Sequence, residues 1–121
     1  MLEHRILLVE DEPTTREILA EVLRIEGYSV DTVATAGAAA TCLKTIPYAL
    51  VIADWVLPDG DGIDVADAAA ELGSQTLVIT GNVAHFPSGA AERHRLFAKP
   101  LHAPQLLAAV EEAFGAAEGR E

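Results

Sequence analysis

The stretch ALVIADWVLPDGDG, residues 49–62, decides the fold of this chain. Its five leading apolar residues are followed by turn-forming residues, which is the pattern of a short strand buried on both faces of a parallel sheet. Asp54 directly follows the apolar run and opens the turn. In open α/β sheets, chemistry collects where the carboxyl ends of such strands emerge. Asp54 considered alone is also compatible with a capping or turn role, so its function depends on the rest of the chain.

Three other apolar runs end in polar side chains at the same kind of position. Because the carboxyl ends of parallel strands lie along one edge of a sheet, these side chains and Asp54 can converge there. Each signal is weak alone, but an acid cluster, an acid, a hydroxyl and an amine in this order together predict a functional site. The runs are residues 6–9, followed by Glu10, Asp11 and Glu12; residues 76–79, followed by Thr80 and Gly81; and residues 96–98, followed by Lys99 and Pro100.

Segments with helical periodicity separate these strands. The alternation predicts an α/β fold, a doubly wound (βα)5 arrangement with five parallel strands and helices on both faces of the sheet. A less regular strand, expected near an edge of the sheet, covers residues 28–33. The predicted helices run from Pro13 to about Gly27, from Ala36 to about Ile46, from Ile63 to Leu72 and from Pro104 to Gly115.

The segment from Thr80 to Arg95 is the least regular part of the sequence. Two glycines, a proline and a serine interrupt any long helix there. Short turns around Val83–His85 and Ala90–Arg93 are the most that these residues allow. We therefore predict a short or irregular fourth helix.

Length and composition indicate one globular domain over residues 1–121, with a polar tail at about residues 116–121. No apolar stretch approaches the roughly 18 residues of a membrane-spanning helix. The charged start of the chain does not resemble a signal peptide, so we expect a cytoplasmic protein without membrane contact. The formal net charge of −11 argues against direct nucleic-acid binding, which needs a basic surface. Cys42 is the sole cysteine, which excludes an internal disulfide.

The predicted site has the chemistry to accept a phosphoryl group. A carboxylate such as Asp54 is ionised at neutral pH and can attack phosphorus without help from a base. Crowding it with Glu10 and Asp11 would cost roughly 4 kcal/mol for a pair about 4 Å apart, at an effective dielectric constant of about 20. A hard divalent cation such as Mg²⁺ would offset this repulsion. Lys99 can pair with Asp54 at rest, and Lys99 and the Thr80 hydroxyl can contact phosphoryl oxygens.

Taken together, these motifs resemble the receiver domain of two-component response regulators over nearly the whole chain. The resemblance implies a flavodoxin-like receiver fold. Gly81 after Thr80 is similar to the pattern of some divergent single-domain receivers. The matching motifs are the strand and acids of residues 6–13, the Asp-x-x-x-Pro-x-x-Asp-Gly spacing of residues 54–62, Thr80, and the pair Lys99-Pro100.

The resemblance implies a role for each of the residues that would handle the phosphoryl group. Asp54 would be the phosphoacceptor and would also bind Mg²⁺. Thr80 and Lys99 would contact the phosphoryl group, and the bond between Lys99 and Pro100 would be cis.

The remaining metal ligands and two turn residues are likewise implied by the resemblance. Asp11 would bind Mg²⁺ directly, and Glu10 would bind it through water. The backbone carbonyl of Val56 would complete the protein ligands. Pro58 and Gly62 would be structural residues of the turn.

The activity that the resemblance implies is that of a signalling switch. Asp54 would take a phosphoryl group from a sensor histidine kinase or a histidine phosphotransfer protein, and the phosphorylated domain would change its interactions with a downstream protein. Such a domain is not an enzyme in the ordinary sense, although it catalyses its own phosphotransfer and a slow autodephosphorylation. Met1 and the polar tail favour a stand-alone receiver over one excised from a longer protein.

One departure from the family pattern affects how a signal would leave the site. The family carries an aromatic residue three positions before the lysine, where this chain has Leu96, and strand alternation points Phe97 to the other face. Gly81 and the interrupted segment after it have low intrinsic helix stability. We therefore predict that phosphorylation orders residues 80–95 and does not act by moving an aromatic ring.

Two other function classes fit parts of the pattern. Hydrolases with an aspartate nucleophile, such as haloacid-dehalogenase-like phosphatases, place a second acid two residues after the nucleophile, where this chain has Val56. A pseudo-receiver that binds partners without phosphorylation would lack an acid, the threonine or the lysine, and this chain has them all. Asp59 and Asp61 are predicted to be turn and cap residues. The histidines, which are predicted to be non-catalytic, are His4, His85, His94 and His102.

Overall fold

Strands and helices alternate along the chain as predicted. The computed structural model describes residues 5–118, so His4 and residues 119–121 lie outside the described range. The elements in chain order are β1 (Arg5–Val9), α1 (Pro13–Ile25), β2 (Ser29–Val33), α2 (Ala36–Thr45), β3 (Leu50–Asp54), β4 (Val56–Leu57), β5 (Gly60–Asp61), α3 (Gly62–Glu71), β6 (Gln75–Thr80), a 3-10 turn (Val83–His85), α4 (Ser88–Arg93), β7 (Arg95–Ala98) and α5 (Ala103–Glu118).

A five-stranded parallel sheet in the order β2-β1-β3-β6-β7 forms the centre of the fold. Alternate residues of β1 pack on opposite faces: Ile6 and Leu8 lie against α1 and α5, whereas Leu7 and Val9 lie against α2 and α3. The doubly wound α/β prediction is therefore confirmed, including the edge position of β2. Within residues 5–118, no helix has the length and apolar character that crossing a bilayer requires.

The last helix is longer than predicted. We expected it to end at Gly115, but α5 continues to Glu118. A glycine inside a helix costs only about 1 kcal/mol relative to alanine, and the buried side chains of Ala113 and Phe114 anchor the preceding turn. The first part of the expected polar tail is therefore helical, and the rest of that tail lies outside the described residues.

The segment after β6 contains a short fourth helix, as predicted. α4 has six residues, and its end is fixed to α3 by Asp67. The Arg93 guanidinium donates two hydrogen bonds of 3.1 Å to the Asp67 carboxylate, and His94 Nε2 lies 2.7 Å from Asp67 Oδ1. His94 is buried, with its Nδ1 2.5 Å from Thr76 Oγ1. These contacts give His94 a structural role.

A backbone constraint shapes the turn that follows β3. Within this turn, β4 and β5 form an antiparallel hairpin, an element that we did not predict. The Gly62 amide donates a 2.7 Å hydrogen bond to the Trp55 carbonyl. A Cβ atom at Gly62 would lie 1.9 Å from the backbone carbonyl oxygen of Asp54. A side chain at this position would therefore prevent the turn from closing against the end of β3.

Gly62→Ala should strongly destabilise the fold, because the added methyl group would meet backbone atoms instead of a flexible side chain. We expect a loss of about 3 kcal/mol in the free energy of unfolding, at the upper end for overpacking, measured by urea denaturation. Gly115→Ala is the matched control, since no heavy atom lies within 4 Å of its added Cβ. Alanine there should raise stability by up to about 1 kcal/mol. Equal stability of the two variants would contradict the close-approach argument.

Candidate functional site

The register of the sheet places the predicted site residues side by side. The pairing of β1 with β3 puts Glu10 next to Asp54. Thr80 directly follows the β6 residue that is paired with Asp54, and Lys99 directly follows the β7 residue that is paired with Thr80. Four strand ends therefore deliver these side chains to one edge of the sheet, because parallel strands point the same way.

Three carboxylates meet at this edge. Glu10, Asp11 and Asp54 each offer an oxygen atom, and these atoms all lie within 4.8 Å of one another. Glu10 is 1% exposed and Asp54 is 7% exposed, whereas Asp11 faces solvent. Burial raises the pKa of Glu10, and the nearby Asp54 carboxylate adds to that increase, although the Glu12 amide, which donates to Glu10 Oε2 at 3.1 Å, opposes it.

Lys99 is the cation that contacts this cluster. Its Nζ atom lies 2.8 Å from Asp54 Oδ2 and 3.5 Å from Glu10 Oε1. Partial burial lowers the pKa of Lys99, but the hydrogen bond to Asp54 and the charges of Asp54 and Glu10 outweigh burial and raise the pKa above its usual value. The backbone holds the lysine in place, since its amide donates a 2.8 Å bond to the Thr80 carbonyl and the Lys99–Pro100 peptide is cis.

Thr80 is buried at the end of β6, and its hydroxyl oxygen is already used as an acceptor. The Asn82 amide donates a 2.9 Å hydrogen bond to Thr80 Oγ1. The hydroxyl proton is available for another acceptor, because a threonine hydroxyl carries one donor and two lone pairs. The same hydrogen bond links the site to the start of the segment before α4.

Two acids of the turn after Asp54 bind backbone amides at the starts of helices. Asp61 accepts a 2.7 Å hydrogen bond from the Ile63 amide at the start of α3. Asp59 accepts hydrogen bonds from two amides at the start of α2. The cap interpretation is therefore confirmed for Asp61 and the turn interpretation for Asp59, although the sequence did not reveal that Asp59 also binds the first amides of α2. Val56 has an apolar side chain that is 69% exposed, so its backbone carbonyl is the group that it can offer to a metal.

An aromatic pair beside the site was not predicted. Trp55 and Phe86 pack edge to face with ring centroids 5.1 Å apart. Leu96 packs in the same apolar cluster, whereas Phe97 lies in the core on the opposite face of the sheet. The predicted orientations of Leu96 and Phe97 are therefore confirmed. The aromatic residue next to Asp54 in the sequence is Trp55, which contacts Phe86.

The acid cluster fits a hard divalent cation. Carboxylate oxygens are the protein ligands that Mg²⁺ prefers, and Mg²⁺ usually keeps several waters. The exposed Asp11 gives an ion and its waters access to the buried Glu10 and Asp54. Since the pKa of Glu10 is raised in the fold, its ionised form is costly near neutral pH, and a bound cation would offset that cost.

The chain matches a protein family described as the response regulator receiver domain over residues 6–111. It is 34% identical over 112 residues to the response regulator receiver protein CpdR of Brucella abortus, a match that covers 88% of this chain and 93% of that protein. The sensor protein TorS of Escherichia coli is 39% identical over 85 residues, which cover 67% of this chain but only 9% of TorS.

Solved structures show the same fold. The signal receiver domain of a putative Luxo repressor protein from Vibrio parahaemolyticus has a TM-score of 0.86 at 26% identity, covering 98% of this chain and 95% of that chain. A CheY-like receiver domain protein from Methanospirillum hungatei has a TM-score of 0.87 at 24% identity, covering 99% of this chain and all of the other. From the family match and the similarity to CpdR, the chain belongs to the response regulator receiver domain family.

Proposed function

We propose that this chain is the phosphoacceptor of a two-component phosphorelay and that Asp54 takes up the phosphoryl group in the presence of Mg²⁺. The observation that best supports this proposal is the 2.8 Å contact between Lys99 Nζ and Asp54 Oδ2 within the acid cluster. A buried carboxylate with an adjacent cation, a metal-binding acid set and a neighbouring hydroxyl is the set of groups that phosphoryl transfer uses.

In the proposed reaction, a carboxylate oxygen of Asp54 attacks the phosphorus atom of a phosphohistidine on a partner protein. The O–P bond forms as the N–P bond breaks, and the imidazole nitrogen keeps the electron pair of the broken bond. The imidazole leaves as a neutral ring when its other nitrogen carries a proton. The product is an acyl phosphate on Asp54, and the same site would release phosphate slowly by hydrolysis.

The residues around Asp54 would act on the charge of the transferred group. Lys99 pairs with Asp54 at rest and would contact a phosphoryl oxygen after transfer. Thr80 would donate its hydroxyl proton to a second phosphoryl oxygen. Bound Mg²⁺ would neutralise charge on the phosphoryl oxygens. Its proposed ligands are Asp11, Asp54, Glu10 through water and the Val56 carbonyl.

The proposed phosphodonor is a sensor histidine kinase or a histidine phosphotransfer protein. Similarity to a response regulator receiver protein and to a stretch of a sensor protein supports a partner of this class. The reader of the phosphorylated form would be another protein, since the formal net charge of −11 disfavours direct nucleic-acid binding. We place this exchange in the cytoplasm. The domain would catalyse its own phosphorylation and is not an enzyme with a separate substrate.

Asp54→Asn should abolish phosphorylation, because the amide nitrogen and oxygen lack the nucleophilic charge of a carboxylate. Incubation of the wild type with acetyl phosphate or phosphoramidate and Mg²⁺ should add one phosphate, detected by intact-protein mass spectrometry. Asp64→Asn, which removes the same charge from an exposed position on α3, should be phosphorylated as fully as the wild type. Equal labelling of Asp54→Asn and the wild type would show that another residue accepts the phosphoryl group.

Mg²⁺ should change the fluorescence of Trp55, the sole tryptophan, because it follows the proposed metal ligand Asp54 directly. Asp11→Ala should raise the Kd for Mg²⁺ by at least about tenfold, since it removes a direct ligand. Excess EDTA should return the wild-type signal to its starting value. Superimposable titrations of the wild type and Asp11→Ala would rule out this metal site.

The segment after Thr80 should become more ordered on phosphorylation. Contacts of Thr80 and Lys99 with phosphoryl oxygens exist only in the phosphorylated state, so they can shift a conformational equilibrium. Amides from Gly81 to Arg93 should exchange hydrogen roughly tenfold more slowly with Mg²⁺ and beryllofluoride, a phosphoryl mimic, than with Mg²⁺ alone. Amides of the central strand β3 serve as the control and should not change. Equal protection of the segment in both conditions would exclude the ordering mechanism.

A further inference from the structure

We propose that Asp59 is a positioning residue for the metal side of the site. By binding the first amides of α2, it holds in place the hairpin that carries the Val56 carbonyl, a proposed ligand of Mg²⁺. This inference rests on the proposed function, because it concerns how a proposed metal ligand is held.

Asp59 lies at the tip of the β4–β5 hairpin and contacts a helix that is distant in sequence. The Ala36 amide donates a 2.7 Å hydrogen bond to Asp59 Oδ1, and the Gly37 amide donates a 2.9 Å hydrogen bond to Asp59 Oδ2. These bonds, first that of Gly37 and then that of Ala36, lower the pKa of Asp59. Both carboxylate oxygens are therefore engaged by the positive end of α2.

Packing around these hydrogen bonds leaves little freedom for the hairpin. A Cβ atom at Gly37 would lie 3.2 Å from Asp59 Oδ2, and a Cβ atom at Gly60 would lie 3.0 Å from the Ala36 side chain. A methyl group at either glycine would be in tight contact, so the neighbouring side chain would have to move by a few tenths of an ångström. Thr35 already caps α2 in the usual way, because its side chain accepts from the Ala38 amide. The helix does not depend on Asp59 for an N-cap.

The β4–β5 hairpin connects Asp59 to the proposed metal ligand Val56 through only two pairs of residues. Val56 is paired with Asp61, and Leu57 is paired with Gly60, so the Asp59 tip is one pair removed from the Val56 pair. Mg²⁺ tolerates little deviation from octahedral geometry with bonds of about 2.1 Å. A hairpin released at its tip would hold the Val56 carbonyl less accurately. The loss should appear in metal affinity and not in the chemistry at Asp54.

The test compares Asp59→Asn with Asp64→Asn, which removes the same charge from an exposed position on the neighbouring helix. Asparagine offers one acceptor oxygen in place of two, and its NH₂ group cannot accept from an amide. Asp59→Asn should raise the Kd for Mg²⁺ about tenfold, measured by Trp55 fluorescence, as outer-shell substitutions do. Asp64→Asn should raise it less than about twofold. At saturating Mg²⁺, both variants should accept phosphate from acetyl phosphate at the wild-type rate.

A second variant separates positioning from stability. Gly37→Ala keeps every charge and favours the helix, but its methyl group would press on Asp59 Oδ2. It should weaken Mg²⁺ binding without lowering the urea midpoint. In NMR spectra, Mg²⁺ should shift the Ala36 and Gly37 amide signals in the wild type but not in Asp59→Asn.

The outcomes distinguish this inference from the proposed function. A wild-type Kd in Asp59→Asn, or an equal rise in Asp64→Asn, would overturn the positioning role while leaving the phosphoacceptor proposal intact. A wild type that neither binds Mg²⁺ nor accepts phosphate would refute both.

Discussion

Charge compensation at the end of β3 is the interaction on which the site depends. Glu10 and Asp54 are buried, and a buried carboxylate is unfavourable unless another group neutralises it. Lys99 supplies that charge from a different strand and contacts both acids. β1, β3 and β7 must therefore keep their relative register for the charges to meet. Removal of the lysine would leave two buried acids without a cation, which is the costly way to break a buried ion pair.

The compensation is incomplete, and this makes the site responsive to ligands. Three acids face one lysine, so the cluster stays negative and favours a divalent cation. Bound Mg²⁺ would bring the formal charge of the three acids and Lys99 together close to zero. In the proposed reaction, conversion of the Asp54 carboxylate to an acyl phosphate would then change the formal charge by only about one unit. A phosphorylated state would therefore be recognised mainly by where its new oxygens lie, which gives the positions of Thr80 and Lys99 more weight than net charge in the proposed mechanism.

Local sequence patterns were sufficient for most of the fold and insufficient for its long-range polar contacts. Buried apolar runs identified four of the five sheet strands, because a strand covered on both faces is mainly apolar. Our prediction that α5 ends at Gly115 was wrong, because burial of the Phe114 side chain outweighs the weak helix preference of glycine. The contacts of Asp59 with α2 and of His94 with Asp67 join residues 22–27 positions apart. No local pattern reports such pairs, since they depend on how the helices and turns are brought together.

The segment after β6 is held differently at its two ends. Its far end is fixed, because Arg93 and the buried His94 bind Asp67 of α3. Its near end is held by the hydrogen bond from the Asn82 amide to Thr80 Oγ1 and by the packing of the buried Phe86 against Trp55. In the proposed mechanism, Thr80 would donate its hydroxyl proton to a phosphoryl oxygen while Oγ1 still accepts from the Asn82 amide, and the far anchor would be undisturbed. Under the proposed ordering mechanism, phosphoryl contacts of Thr80 would therefore act first at this near end, where Phe86 packs against Trp55, the residue that follows Asp54.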